Sequence, residues 1–415
     1  MTIFKKSKII FLTAFFVRLL CVIIFGDKNL DYEFDVLVKN LINGNGYTYW
    51  AVTHDGVLTN EFINDANLYI PSAYMPILYP LFLTLIIYFI GYSQFSVFII
   101  LLVQSLMGVI NCFMIRDIYE MKFGQKNSYL IAWLVALFPL HIFMSSQISA
   151  STLYVFLIVF VLYFYNKISL ENSYKNMCYL GISLGLLTLA RADAILLIPA
   201  IFILLTLFHK KINIQKSIII VIVSAIIIMP LSVRNFHHFG FFYPLTISSG
   251  LNLWIGNNND ATGSRLNYVQ PYKPIPESIL NKIDNLEINK YYEINRDNIF
   301  KYEAVDFIKN NPNKVLLLSL KKITFFWIHI FDDRVKYPNL NNIFYWGPWI
   351  VLLPFFLFSF PYILENWRKN DLELFLVFYF TFVYSVFFVL PRYRLIVLPI
   401  YIIYSFYFFN KKFSN

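Results

Sequence analysis

The sequence predicts an all-α polytopic membrane protein, and three observations carry that prediction. Of its 415 residues, 58% are hydrophobic and only 14% are charged, whereas soluble domains carry about 25% charged residues. Apolar runs recur from end to end, each near the roughly 20 residues that a helix needs to cross a hydrocarbon core about 30 Å thick. A soluble core could not hide this much apolar surface, because surface shrinks too slowly with size. The net charge of +10 fits the same class. Lys and Arg collect in cytoplasmic loops of membrane proteins, and with no nucleic-acid-binding motif present, nucleic acid is excluded as a partner.

Taken in order, the apolar helix segments are 9–25, 77–92, 95–115, 129–144, 152–165, 177–190, 194–208, 217–233, 315–331, 344–364, 374–390 and 395–409. Lys5, Lys6 and Lys8 precede the first. No small-residue cleavage site follows it, so it reads as a retained helix rather than a signal peptide. Two polar segments interrupt the array. They divide the chain into a transmembrane domain, 1–233, with a first extracytoplasmic loop at 26–76; a second, partly helical loop at 234–314; and a C-terminal part, 315–415, of an interfacial helix and transmembrane helices.

Orientation follows from charge. Lys5, Lys6 and Lys8 place the N-terminus inside, and the basic loops 116–126, 167–175 and 209–216 prefer the same side. Both polar segments then lie outside. Two apolar segments separate the first loop from Arg116, where an odd number is required, so one of them is expected to be re-entrant or interfacial. Segment 315–331 carries Lys321 and Lys322 in its middle. Two adjacent lysines are expensive at mid-bilayer, so this segment is expected to lie along the outer interface. The same topology brings the turns around 139–151, 191–193 and 391–394 to the outer face with both loops.

Several motifs on that face carry chemistry. Asp31, Glu33 and Asp35 follow the first helix; one of them could serve as a general base, or all three could form a solvated helix start. Arg191 and Asp193 sit between two apolar segments, either as an internal ion pair or as a functional site. Arg234 and Asn235 end a helix near His237 and His238. Arg392 and Arg394 stand on the outside against the positive-inside bias. Guanidinium groups there suit an anion, phosphate above all, with snorkelling anchors as the alternative. The histidines lack patterned acidic or cysteine partners, so no metal site is expected. Cys21, Cys112 and Cys178 read as small core residues. No Walker-type loop, GxGxxG after a strand, or GxSxG is present.

The order of these pieces is informative: the acidic first loop with Asn-Leu-Ile-Asn-Gly-Asn-Gly-Tyr at 40–47, Pro-Ile-Leu-Tyr-Pro at 76–80, Gly-Leu-Leu-Thr-Leu-Ala-Arg at 185–191, Pro-Leu-Ser-Val-Arg-Asn at 230–235, the Gly/Asn-rich run 250–263, and Pro-Arg-Tyr-Arg-Leu-Ile-Val-Leu-Pro at 391–399. Together they resemble the GT-C glycosyltransferases, in particular the bacterial ArnT-like and protein-O-mannosyltransferase-like group. The resemblance implies a GT-C-like bundle of about 10–12 transmembrane helices with two outer-face loops. It implies an inverting hexosyl- or pentosyltransferase that takes a polyprenyl-phosphate-linked sugar to a hydroxyl of a lipid, glycan or protein acceptor. The expected location is the bacterial inner membrane, with the site on the outer face.

By the same resemblance Asp31 is the base, with Glu33 and Asp35 as rivals. Arg392, Arg394, Arg234 and Arg191 hold the donor phosphate. Tyr74, Asp193, Asn235, Asn257, Asn258 and Tyr393 line the substrates. No cofactor is expected, and a divalent metal is left open. Three departures bear on substrate choice. Met75-Pro76-Ile77 replaces an Arg and Pro-Pro pair found in many relatives, 145–165 holds no acid where many carry a Glu, and the second loop has no large appended domain. The competing readings are an O-antigen polymerase or ligase, which moves whole glycans from a diphosphate carrier, and a transporter, which the absence of an internal repeat disfavours.

Overall fold

The computed structural model describes residues 3–209, 212, 214–264, 275–328 and 340–413. All twelve apolar segments fall on helices. Lys210 and Lys211 of the expected inner loop, the stretch 265–274 of the second loop and the last three residues of 315–331 lie outside the described residues. Among those described, five helices are long and apolar enough to cross a membrane: Ser7–Phe25, Gln94–Phe123, Ala150–Leu170, Ile214–Phe239 and Gly347–Glu365. A sixth qualifies if Ser128–Ala136 and Pro139–Ser146, bent by 56°, form one broken span. The other apolar helices fall short of that length, Tyr174–Ala190 at 17 residues and Asp371–Val386 at 16 among them. With five apolar helices of spanning length, this is a multi-pass integral membrane protein.

Long-range pairs gather the basic loops at one end of the bundle. Lys122 bonds the Lys369 carbonyl at 2.8 Å and pairs with Glu373 at 2.9 Å. Asn127 meets Asn410, His209 meets Asp371, and Lys216 donates to the Asn172 carbonyl. Both long polar segments gather at the other end.

The first parity problem has a structural answer. Helix Leu78–Ile90 has only 13 residues and ends at Gly91, whose φ of 92° turns the chain. Both its ends touch the first-loop helix Tyr32–Ile42: Tyr79 packs edge-on against Phe34 with centroids 4.9 Å apart, and the Tyr92 hydroxyl donates to Asp35. A helix that starts and finishes beside the same loop does not cross, so Gln94–Phe123 alone carries the chain to Arg116.

The first loop also holds a feature that the all-α expectation omitted. A three-stranded antiparallel sheet is built from Thr48–Val52, Leu58–Thr59 and Leu68–Pro71, with the first strand in the centre. The helix before it stops at Asn43-Gly44, where Gly44 takes a φ of 78° that an L side chain rarely adopts. Buried Ile70 of the sheet shares a small core with Trp254, Ile279, Phe300 and Phe388. The two polar segments and the start of the 391–396 turn therefore pack as one unit on the bundle.

Candidate active site

The first-loop acids face different surroundings. Asp31 is exposed and caps helix Tyr32–Ile42, its carboxylate accepting the Tyr32 N–H at 2.9 Å. Glu33 is half-buried near Tyr49. Asp35 is engaged by Lys39 at 2.8 Å and by the Tyr92 hydroxyl. Of the three, Asp31 presents its carboxylate to solvent. Asp27, which the motif reading passed over, lies four residues earlier and accepts the Ile148 N–H at 2.6 Å. Burial raises its carboxyl above the usual range, the Ile148 bond opposes this, and the Asp31 charge adds to the rise.

The segment held by Asp27 leads into helix Ala150–Leu170, and Tyr154 near its start joins an aromatic cage. The Arg191 guanidinium lies 5.1 Å from the centroid of Tyr154, 5.6 Å from Tyr384 and 4.8 Å from Tyr393. Three ring faces turn their negative quadrupoles to one cation. Asp193 completes the cage, 2.8 Å from Arg191, and accepts from Tyr384 at 3.2 Å and Tyr154 at 3.4 Å. The ion pair weighed from the sequence thus exists, inside a cage no spacing rule revealed. Arg191 keeps a quarter of its side chain exposed.

Tyr393 belongs to the short 3-10 helix Pro391–Ile396 and stacks on Tyr384 at 4.7 Å. Its two arginine neighbours point apart. Arg392 is exposed, whereas Arg394 is fully buried with its guanidinium 5.6 Å from the Trp349 ring. Arg394 therefore lies behind the turn, and Arg392 is the arginine of this pair open to a ligand.

The second-loop residues mostly hold the site's walls. Arg234 donates to the Ser72 carbonyl at 2.6 Å and the Tyr47 carbonyl at 2.9 Å. Asn235 is buried and spends both amide hydrogens on the Tyr243 and Leu245 carbonyls, each at 2.9 Å. Asn257 donates to the Leu253 and Val386 carbonyls, and Asn258 donates to Trp254. Tyr74 stacks on Tyr49 at 5.4 Å. It also lines a small cleft with Glu293, Arg296 and Asp297, and so faces both loops. Gly256 must lack a side chain, because a Cβ would stand 2.3 Å from the Phe387 carbonyl oxygen.

Lys322 departs from expectation. Helix Pro312–Trp327 exposes Leu316, Leu317 and Leu320, but Lys322 is buried inside the protein, donating to Asn257 at 3.2 Å and to the Val386 carbonyl at 3.1 Å. That carbonyl belongs to the last residue of a helix, where orphan acceptors and the dipole favour a cation. Burial lowers the amine to about 8. Only Lys321 points outward, over the Phe325 ring. Among the described residues, no group of three or more His, Cys, Asp or Glu side chains is placed to hold a metal.

Comparison with known proteins bears on the fold. Residues 75–234 match the family described as dolichyl-phosphate-mannose-protein mannosyltransferase. No curated protein matches the chain in sequence. Among solved structures, the archaeal oligosaccharyltransferase AglB from Archaeoglobus fulgidus, in complex with an inhibitory peptide and a dolichol-phosphate, superposes with a TM-score of 0.59 at 12% identity, over 100% of this chain and 51% of that one. The apo oligosaccharyltransferase of that organism gives 0.56 at 12% identity, over 99% and 50%. ArnT from Cupriavidus metallidurans gives 0.40 at 9% identity, over 95% and 77%, a likeness too slight to build on. This chain thus spans about half the length of the archaeal proteins it matches. The chain shares its fold with the archaeal oligosaccharyltransferases, an all-α polytopic bundle as the apolar segments predict.

Proposed function

We propose that this chain of GT-C fold is an inverting glycosyltransferase that moves a sugar from a polyprenyl-phosphate donor to an acceptor hydroxyl on the outer face of the membrane. One observation carries the reading. The exposed Asp31 carboxylate, which caps the helix after the first, and an arginine held among three tyrosines lie at the same end of the bundle, linked through Asp27 and the short stretch from Ile148 to Tyr154. The family match over 75–234 and the dolichol-phosphate bound by the archaeal structural neighbour support the same class of donor.

The chemistry closes in one displacement. The acceptor oxygen attacks the anomeric carbon from the face opposite the phosphate, and Asp31 takes the hydroxyl proton. The new glycosidic C–O bond forms as the bond to phosphate breaks, and the configuration inverts. Polyprenyl phosphate departs with the electron pair and one further negative charge. Arg392 on the open turn and Arg191 behind Tyr393 are the cations we assign to that charge, which needs stabilising most as the bond breaks. Arg234, Asn235 and Asn257 shape the walls, and Tyr74 and Asp193 remain at their edge. We assign no organic cofactor to this step, since phosphate is itself a good leaving group.

The reading places the protein in a bacterial inner membrane, with a lipid, glycan or protein as acceptor. The test is transfer of label from a panel of radiolabelled polyprenyl-monophosphate sugars in membranes with and without the chain. Label reaching an acceptor only when the chain is present supports the reading, and EDTA in the same assay reports on divalent metal. Transfer from diphosphate-linked oligosaccharides alone would replace it with the polymerase or ligase reading.

A further inference from the structure

We infer that Asp27 is a positioning residue for this transfer, stitching segment 146–148 to the outer end of the first helix and so fixing the spacing between Asp31 and the arginine cage. The inference rests on the function proposed above.

Three hydrogen bonds make the stitch. The Asp27 N–H donates to the Ser146 carbonyl at 3.1 Å, the Ile148 N–H donates to Asp27 Oδ2 at 2.6 Å, and Gln147 Nε2 donates to the Phe25 carbonyl at 3.3 Å. Segment 145–148 is also held from behind. Gln104 Nε2 donates to the Ser145 and Gln147 carbonyls at 3.3 and 2.9 Å, and its oxygen accepts from Tyr79 at 2.8 Å. The stitched residues stand between the two halves of the site. Asp31 lies four residues beyond Asp27, and helix Ala150–Leu170 starts two residues beyond Ile148, capped by Ser149 and carrying Tyr154 to Arg191. Moving 146–148 therefore moves the cage relative to the base.

Asp27 is the only ionisable side chain in the stitch. The titratable groups around it are Asp31, the Tyr79 phenol and Cys21, whose thiol meets Ser146; Lys28 follows it in the chain. Displacements of about an ångström can slow an enzyme roughly 100-fold.

The experiment uses the purified full-length chain and compares Asp27→Ala and Asp27→Asn with wild type across pH. Asp27→Ala is expected to lower kcat about 100-fold and leave the donor KM within about twofold, since misplacement, not lost binding, is the defect. Asp27→Asn keeps an oxygen that accepts the Ile148 N–H. It should recover kcat to within about fivefold at neutral pH and move the acid limb of the pH profile to lower pH than wild type. A wild-type kcat in Asp27→Ala, a defect confined to donor KM, or an unmoved acid limb in Asp27→Asn would each overturn the inference. Asp31→Asn, assayed alongside, separates the cases. If it is inactive while both Asp27 variants behave as wild type, only the role of Asp27 fails. If it is active, the assignment of the base fails first.

Discussion

The Glu293 carboxylate in the second loop accepts the Ser72 hydroxyl at 2.6 Å and the Ala73 N–H at 2.9 Å, clamping the first loop from above. Arg234 grips the Ser72 carbonyl from the other side, so one dipeptide is held between two charged residues more than fifty positions apart. Burial pushes the Glu293 carboxyl up to about 7, against the lowering effect of its Ser72 and Ala73 bonds.

A pH dependence follows from that shift. A carboxyl raised in the folded state binds more protons folded than unfolded, so its contribution to stability is full below about 4.5 and is lost as pH rises to about 7. The window is worth on the order of 3 kcal/mol. Glu293→Gln should flatten the pH dependence of the thermal midpoint between these limits and leave the protein at least as stable as wild type above pH 7. A midpoint that still falls across the same window in Glu293→Gln would show another group to be responsible.

The two arginines of the 391–396 turn should separate cleanly. Arg392→Ala removes an exposed guanidinium and is expected to raise donor KM about tenfold, a loss of roughly 1.4 kcal/mol, with the thermal midpoint unchanged. Arg394→Ala removes a buried guanidinium that packs on Trp349. It should lower the midpoint by several degrees and reduce the yield of folded protein, as truncating buried, paired groups typically does. Equal effects on stability would contradict the division of roles.

Much of the architecture was legible because hydropathy reports on local sequence. Among the described residues each of the twelve apolar segments is mostly helical, 129–144 as a bent pair, and the basic loops share one end of the bundle. The sheet in the first loop was missed because its strands are two to five residues long and lie among polar residues that read equally as coil. Leu78–Ile90 could be flagged as irregular by parity, but only the contacts of Tyr79 and Tyr92 show that it stays beside the first loop. At the site, Asp31, Arg191 and Arg392 belong to motifs and could be named. Asp27 and Glu293 could not, since their partners lie 121 and 221 residues away. Lys322 was misplaced for a related reason: a helical pattern gives a face, not the Asn257 and Val386 oxygens waiting there.

The cage makes a prediction about geometry as well as charge. Arg191→Lys keeps the cation but loses the planar fork that stacks on three rings and meets Asp193, and arginine and lysine are not equivalent at such sites. Donor KM should rise about tenfold in Arg191→Lys, and Tyr393→Ala should produce an effect of the same kind. Full activity in Arg191→Lys would mean that the cage serves only as a point charge.

Gly256 tests the packing of the second loop on the helix that precedes the turn. Gly256→Ala places a methyl group against the Phe387 backbone, and overpacking of this kind typically destabilises by about 1–3 kcal/mol. The midpoint should fall, and the donor KM should rise with it because Phe387 leads directly into the 391–396 turn. An unchanged midpoint would show that the two segments separate readily.

The most direct test of the account is sugar transfer by Asp31→Asn, measured beside wild type at matched amounts of folded protein with a polyprenyl-monophosphate donor that wild type accepts. The substitution keeps an oxygen that can cap the Tyr32 N–H and removes the charge and with it the ability to take a proton. The account predicts a rate at least about 100-fold below wild type, the lower end of what a general base contributes, with the donor still bound. Transfer at a rate near that of wild type would contradict it and return the search for the base to the other acids of the first loop.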